Sequence, residues 1–158
     1  MTSEWRLRDA LPADQEPIEA LMPLLVDFEV PERSGNPDDL WAGDVLLLRR
    51  HFSAEADNLF VLVAVQAERV IGFAMTSLRE DPISKQPGAH LEAIAVVASA
   101  QGHGVGRALI RASEQRAAER GALTITLHAF RRNVRARKLY ESEGYDAELY
   151  RYAKSLTM

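Results

Sequence analysis

The chain has 158 residues, no cysteine, 47% hydrophobic and 27% charged residues, and a formal net charge of −4 at pH 7. That length predicts one domain with a single core. The lack of cysteine excludes disulfides, thiolate metal sites and cysteine nucleophiles, and suits a reducing cytoplasm. No stretch approaches the roughly 18 apolar residues of a membrane span, and the first seven residues lack a secretory signal pattern, so a cytoplasmic protein without membrane contact is expected.

Charge is unevenly placed. Residues 1–45 hold eleven acids against three bases, a balance of −8, while residues 101–138 hold nine bases against two acids, a balance of +7. One reading is solvated helix faces. The other is two partners of opposite sign, a nucleotide-like polyanion on the basic half and a cationic amine steered to the acidic half. Nucleic acid is not expected, because no basic stripe is interleaved with aromatics and the whole chain is acidic.

In chain order, residues 5–8 read as a strand, and Asp14 is placed to cap an amphipathic helix carrying Ile18, Leu21, Met22 and Leu25, which Pro23 should interrupt. Residues 31–37 read as a loop. Asp38 or Asp39 can then cap a second helix through about His51, with Leu40, Trp41, Val45, Leu46 and Leu48 on its apolar side. Residues 59–65 and 70–78 are β-rich runs joined by Gln66-Ala67-Glu68-Arg69, a hairpin without the usual Asn-Gly signal. Residues 79–88 read as a loop. Beyond it a strand over 90–97, a helix over 104–120 stopped by Gly121, and a strand over 123–128 imply parallel pairing with a crossover. A short helix over 133–142 ends at Gly144, and residues 145–152 can close the sheet. The order predicts a mixed α/β layer structure.

The chemistry-bearing segment is Ala100-Gln101-Gly102-His103-Gly104-Val105-Gly106-Arg107, between an apolar strand and a helix. Glycines at alternate positions let the backbone approach a ligand, and the free N–H groups of a first helical turn form an anion site. A P-loop would need Lys-Ser/Thr after its last glycine, and a dinucleotide fingerprint would need glycine where Arg107 stands. Both fit poorly. A plain strand-to-helix turn is the structural alternative.

Gln101, Gly104 and Gly106 match Gln/Arg-x-x-Gly-x-Gly/Ala, and Asn133, Ala136, Tyr140, Gly144 and Tyr145 match Asn-x-x-Ala-x-x-x-Tyr-x-x-x-Gly-Phe/Tyr. With these two motifs in order, the chain resembles the GNAT superfamily of N-acetyltransferases. The resemblance implies a central twisted mixed sheet of about six to seven strands with about four helices. It also implies acetyl-CoA as cosubstrate, with the backbone of Gln101, Gly102, His103, Gly104, Val105 and Gly106 on the pyrophosphate and Ile94, Ala95 and Val96 pairing with the pantetheine arm. Asn133 and Ala136 would help position that arm. Arg107, Arg135 and Lys138 are candidates for the outer phosphates. Gln101 replaces the commoner arginine and costs one positive charge.

Direct transfer to an amine requires a base for the ammonium, a donor for negative charge on the acyl oxygen, and a proton for the departing thiolate. His90 and Glu92, two apart on one strand, are the base candidates. An ordinary imidazole titrates near ~6.5, whereas a carboxylate acts here through burial or an intervening water. Glu92 lies nearer the expected thioester. Tyr140 is the candidate acid for the thiolate, and a main-chain N–H of Ile94, Ala95 or Val96 the candidate donor. No metal-ligand spacing occurs. His51, His103 and His128 have no ligand partner in the pattern.

The expected function is therefore acetyl transfer to a primary amine of a small cationic molecule. The alternatives are acylation of protein N-termini or lysines, and a non-catalytic CoA sensor or interaction module. A homodimer closing through the C-terminal strand fits the resemblance. Phe28, Trp41 and Tyr150 are candidates to line the acceptor pocket.

Overall fold

A computed structural model of the chain describes residues 4–26, 35–55 and 58–156. Among these, five strands form one sheet: β1 (Trp5–Asp9), β2 (Leu59–Gln66), β3 (Arg69–Glu80), β4 (Pro87–Val96) and β5 (Thr124–Leu127), in sequential order. All neighbours are antiparallel except β4 and β5, which run parallel with α3 (Val105–Glu119) as the crossover. The remaining helices are α1 (Gln15–Leu21), α2 (Ala42–Phe52) and α4 (Val134–Ser142).

The apolar run Leu59-Phe60-Val61-Leu62-Val63-Ala64-Val65 is buried throughout because both sheet faces are covered. Its odd members join Ile18, Leu21, Leu48, Phe73 and Met75 under α1 and α2. Its even members join Leu109, Ile110 and Ala117 under α3, with Leu139 and Tyr140 of α4 packed alongside. The period of two thus delivers one strand to two cores. Each fully buried Phe, Leu or Ile contributes about 1.5–3 kcal/mol to this packing.

Two irregularities shape the functional end of the sheet. A register shift between Met75 and Thr76 pairs Met75 with Ala93 and Thr76 with Leu91, which leaves Glu92 as the extra residue of a bulge on β4. The parallel pairing of β4 with β5 stops at Leu91 and Leu127, just before that bulge. Residues 92–96 of β4 therefore run on without a β5 partner.

Several expectations are corrected. The sheet has five strands rather than six to seven, because residues 145–156 form no strand and Leu149, Tyr150, Tyr152 and Leu156 stay 74–91% exposed. An alternating pattern suits a strand, but it does not supply an edge to pair with. Residues 79–80 and 87–88, expected in a loop, lengthen β3 and β4, with Arg79 opposite Gly88 and Glu80 opposite Pro87. Asp14 makes no cap bond to α1; its carboxylate instead accepts from Leu11 N at 2.7 Å and pairs with Arg8 at 2.6 Å. On α2, Leu46 is exposed and Leu47 packs on the core, since the helix begins at Ala42 behind a 3-10 turn over Pro37–Trp41. Pro23 acts as expected: α1 ends at Leu21 and the chain continues as a 3-10 helix, Met22–Val26. Phe28 and most of the 31–37 segment lie outside the described residues.

The β2–β3 turn is closed by Ala67 and Glu68 with φ of 49° and 64°. A two-residue hairpin turn with both φ positive suits Asn-Gly, and each ordinary residue in it costs about 1–2 kcal/mol. Replacing Ala67-Glu68 with Asn-Gly is predicted to stabilise the fold by about 1 kcal/mol or more in urea unfolding, with the m-value unchanged.

Candidate active site

The segment expected to hold a diphosphate lies where β4 runs out. After a 3-10 turn (Ala98–Ala100) the backbone turns through Gly102 and Gly104 at φ of 82° and 83° and enters α3 at Val105. At both glycines a Cβ would meet nothing within 4 Å, so positive φ and open space, rather than internal packing, account for glycine there. Gly106 differs, since a Cβ would lie 3.6 Å from Leu139 and 3.8 Å from Val96, an ordinary contact where α3 passes α4 and β4. The first-turn N–H groups of α3 face an open cradle.

That cradle opens into a cavity of about 400 Å³ lined by Leu24, Ile94, Ala95, Val96, Ala100, Gln101, Gly102, Gly104, Val105, Gly106, Arg107, Asn133, Arg135, Ala136, Leu139 and Tyr140. Leu24 and Ala95 belong to the core under α1 and α2, while Ile94, Val96, Leu139 and Tyr140 belong to the opposite one. The cavity thus follows the unpaired edge of β4 between the two layers. Of the expected cofactor residues, His103 is exposed and does not line it, and neither does Lys138. A larger, shallow hollow of about 500 Å³ between the β3–β4 hairpin and the end of α3 contains none of these residues.

Side-chain roles are more specific than the motifs show. Gln101 Nε2 donates to Val96 O at 3.0 Å, and its Oε1 accepts from Arg135. Asn133 is the N-cap of α4, its Oδ1 accepting from Ala136 N at 3.3 Å, so it orders the helix that carries Tyr140. Arg107 is tied to Glu143 at 3.2 Å and to Ser142 at 3.2 Å. Arg111 shares Glu143 at 2.7 Å, and these guanidinium groups hold its carboxyl below the ordinary range. Burial pushes the Tyr140 phenol up, which keeps it protonated at neutral pH; its ring lies 6.1 Å from that of Tyr145.

Of the base candidates, Glu92 is the bulge residue and His90 lies two residues before it. Glu92 accepts from Ser77 Oγ at 2.6 Å and sits 3.8 Å from Arg79. His90 is buried at 5% exposure, with Nδ1 2.8 Å from Thr126 Oγ1 and its ring edge-on to His128 at 4.7 Å. Burial, against the pull of Glu92, pushes His90 down to about 4, so it is neutral at pH 7. It therefore departs from the ordinary imidazole that the sequence reading assumed. Neither His90 nor Glu92 lines the cavity.

A further group went unnoticed in the sequence. Asp44, in the first turn of α2, has no hydrogen bond or ion pair among the described residues. Burial first, and Glu92 second, push its carboxyl up to about 7. The charged group that acts on it is Glu92 on β4, which itself sits 3.8 Å from Arg79 on β3. One acid among eleven in residues 1–45 carries no local signal; only its burial and its interaction with Glu92 in the folded chain mark it. Trp41, expected in the acceptor pocket, packs on the core beneath α2 with its indole N–H buried and without a partner among the described residues, whereas Tyr150 is 77% exposed.

Comparison with known proteins decides the family. The model of the Acetyltransferase (GNAT) family matches residues 18–145. The chain belongs to the GNAT acetyltransferase family. As a GNAT enzyme it uses acetyl-CoA, and the open glycine cradle, helix terminus and free β4 edge fit that cosubstrate. A solved aminoglycoside N-acetyltransferase AAC(6')-Iy in complex with CoA superposes with a TM-score of 0.77 at 22% identity, covering 99% of this chain and 98% of that one. A putative acetyl transferase from Pyrococcus furiosus reaches 0.71 at 25% identity, over 97% and 100%. The ribosomal-protein-alanine N-acetyltransferase from Brucella melitensis biovar Abortus 2308 reaches 0.71 at 21%, over 98% and 100%. No curated protein sequence matches the chain at the level that marks a relative. Among the described residues no group of three or more His, Asp or Glu is placed to hold a metal, and no helix is long and apolar enough to cross a membrane.

Replacing Gly104 with Asp puts a side chain and a negative charge into the open cradle, on a backbone that favours glycine. Calorimetry is predicted to show loss of CoA binding by at least about 100-fold, with the far-UV spectrum retained. Unchanged affinity would place the phosphates elsewhere.

Proposed function

We propose that the enzyme transfers the acetyl group of acetyl-CoA directly to a primary amine of a small cationic acceptor. The observation that carries this reading is the cavity along the β4 edge: the glycine cradle lies at one end, Tyr140 lines its wall, and Glu92 stands on the same strand two residues before Ile94, interacting electrostatically with Asp44. Acetyl-CoA supplies the activated acyl group. The chain would supply Tyr140 as proton donor and the carboxylates of Asp44 and Glu92 on the acceptor's side of the reaction, as transfer from an ammonium to a thiolate requires.

In this account Glu92, held by Ser77 and Arg79, gives a fixed negative charge that attracts the acceptor's ammonium. Asp44 takes the proton, since a base poised near neutrality is the most effective at neutral pH. Neutral His90 fixes the β4–β5 junction through Thr126. Tyr140 gives its proton to the thiolate, and a main-chain N–H of the 94–96 segment faces the acyl oxygen. The acidic N-terminal third steers cationic acceptors toward this side. The exposed Leu149, Tyr150, Tyr152 and Leu156 are the surface on which a homodimer would close.

The test is CoA release with aminoglycosides, polyamines, amino acids and peptide N-termini. The first class is included because several similar structures are of aminoglycoside acetyltransferases. Turnover of a small polycation supports the reading; acylation of protein alone, read by mass spectrometry, overturns its substrate class. Tyr140→Phe is predicted to lower kcat by about 100-fold or more with acetyl-CoA affinity unchanged.

Asp44→Asn is predicted to remove the limb of kcat/KM that rises with pH through about 7. Stability changes with the opposite sign. A carboxyl raised in the folded state keeps its proton while the unfolded chain releases it, so stability falls as pH rises from the ordinary Asp range to about 7. Asp44→Asn should therefore raise the Tm at pH 8 and leave it nearly unchanged at pH 4.

A further inference from the structure

Gln101 engages both ends of its amide within the protein. Its Nε2 donates to the carbonyl of Val96, the last residue of β4, at 3.0 Å, and its Oε1 accepts from Nη1 of Arg135 on the first turn of α4. All three residues line the cavity. One neutral side chain thus ties the free edge of β4 to an arginine on the far wall. The two cations lining this cavity differ in their partners. Arg107 is engaged by Glu143, a carboxylate it shares with Arg111, whereas Arg135 forms no ion pair among the described residues. A guanidinium held by a neutral amide keeps its full charge and its remaining donors for another acceptor.

We propose that Gln101 is a positioning residue that holds Arg135 over the cavity mouth, where Arg135 is the cationic partner of the CoA phosphates. The positive charge given up where glutamine stands in the loop is then supplied from α4. The helix N-terminus adds only about half a unit charge, and a fixed arginine complements it with bidentate donors. This rests on the reading that the cavity takes CoA.

The experiment is calorimetric titration of the full chain with CoA and with dephospho-CoA at two salt concentrations. Wild type is expected to bind CoA with an affinity that falls as salt rises. Arg135→Gln should weaken binding by about 10-fold or more and flatten that salt dependence. Gln101→Ala, which removes no charge, should weaken it by a similar factor, and the double variant should be no weaker than either single one. Gln101→Arg in the Arg135→Gln background should restore most of the affinity. A penalty that persists with dephospho-CoA assigns the contact to the diphosphate, and one that vanishes assigns it to the 3′-phosphate; both support the strut. Wild-type binding with Arg135→Gln equally tight overturns the proposal, as does additivity of the two substitutions. Absence of CoA binding by wild type would instead sink the reading beneath it. Arg135 is exposed on α4, so its variant is expected to fold even if Gln101→Ala does not.

Discussion

The structure depends on the place where β4 and β5 stop pairing. Parallel strands joined by a helix ordinarily continue side by side, but here the ladder ends at Leu91 and Leu127 and a bulge at Glu92 follows at once. The divergence leaves five residues of β4 without a β5 partner, and unpaired main-chain groups beside a buried layer need some other partner. One is visible: the carbonyl of Val96 takes the Gln101 amide. The rest of the edge borders the cavity that ends at the first turn of α3, so the sheet geometry and the proposed cosubstrate site share one origin.

The bulge also sets the polar chemistry. Ser77, Glu92 and Arg79 interact on β3 and β4, with His90 electrostatically coupled to the same group. Asp44 completes it from α2. Two carboxylates in a partly buried setting are unfavourable for the protein alone, and the up-shifted Asp44 expresses that cost. In the proposed reaction a cationic acceptor would relieve it. On the other side the +7 segment is partly spent internally, with Arg116 on Asp9 at 2.7 Å and Arg107 and Arg111 on Glu143. Its balance was therefore a poor guide to which arginine serves a ligand.

Much of this was legible in the sequence because it depends on local rules. Gly102 and Gly104 have the positive φ and open space that their alternation implied, and Asn133 begins the helix that its motif marks. The doubly buried run of β2 and the switch from period two to helical spacing gave the order of elements through α4. What stayed hidden depends on partners distant in the chain. The Gln101–Arg135 contact spans 34 residues. The proximity of Asp44 to Glu92 needs the docked helix, and whether residues 145–152 form a strand turns on an edge that no pattern announces. Leu46 and Leu47 show the smaller version of the problem, since adjacent helical residues stand about 100° apart and the docking of α2 decides which of them meets the core.

The central claim is that main-chain N–H groups along residues 94–96 of β4 and through the first turn of α3 grip the cosubstrate. Amide hydrogen exchange with and without CoA measures those groups directly. The account predicts new protection concentrated at residues 94–97 and 102–107, with the β1–β2 pair unchanged. Protection confined to other segments, with these amides exchanging at the same rate in both states, would contradict it.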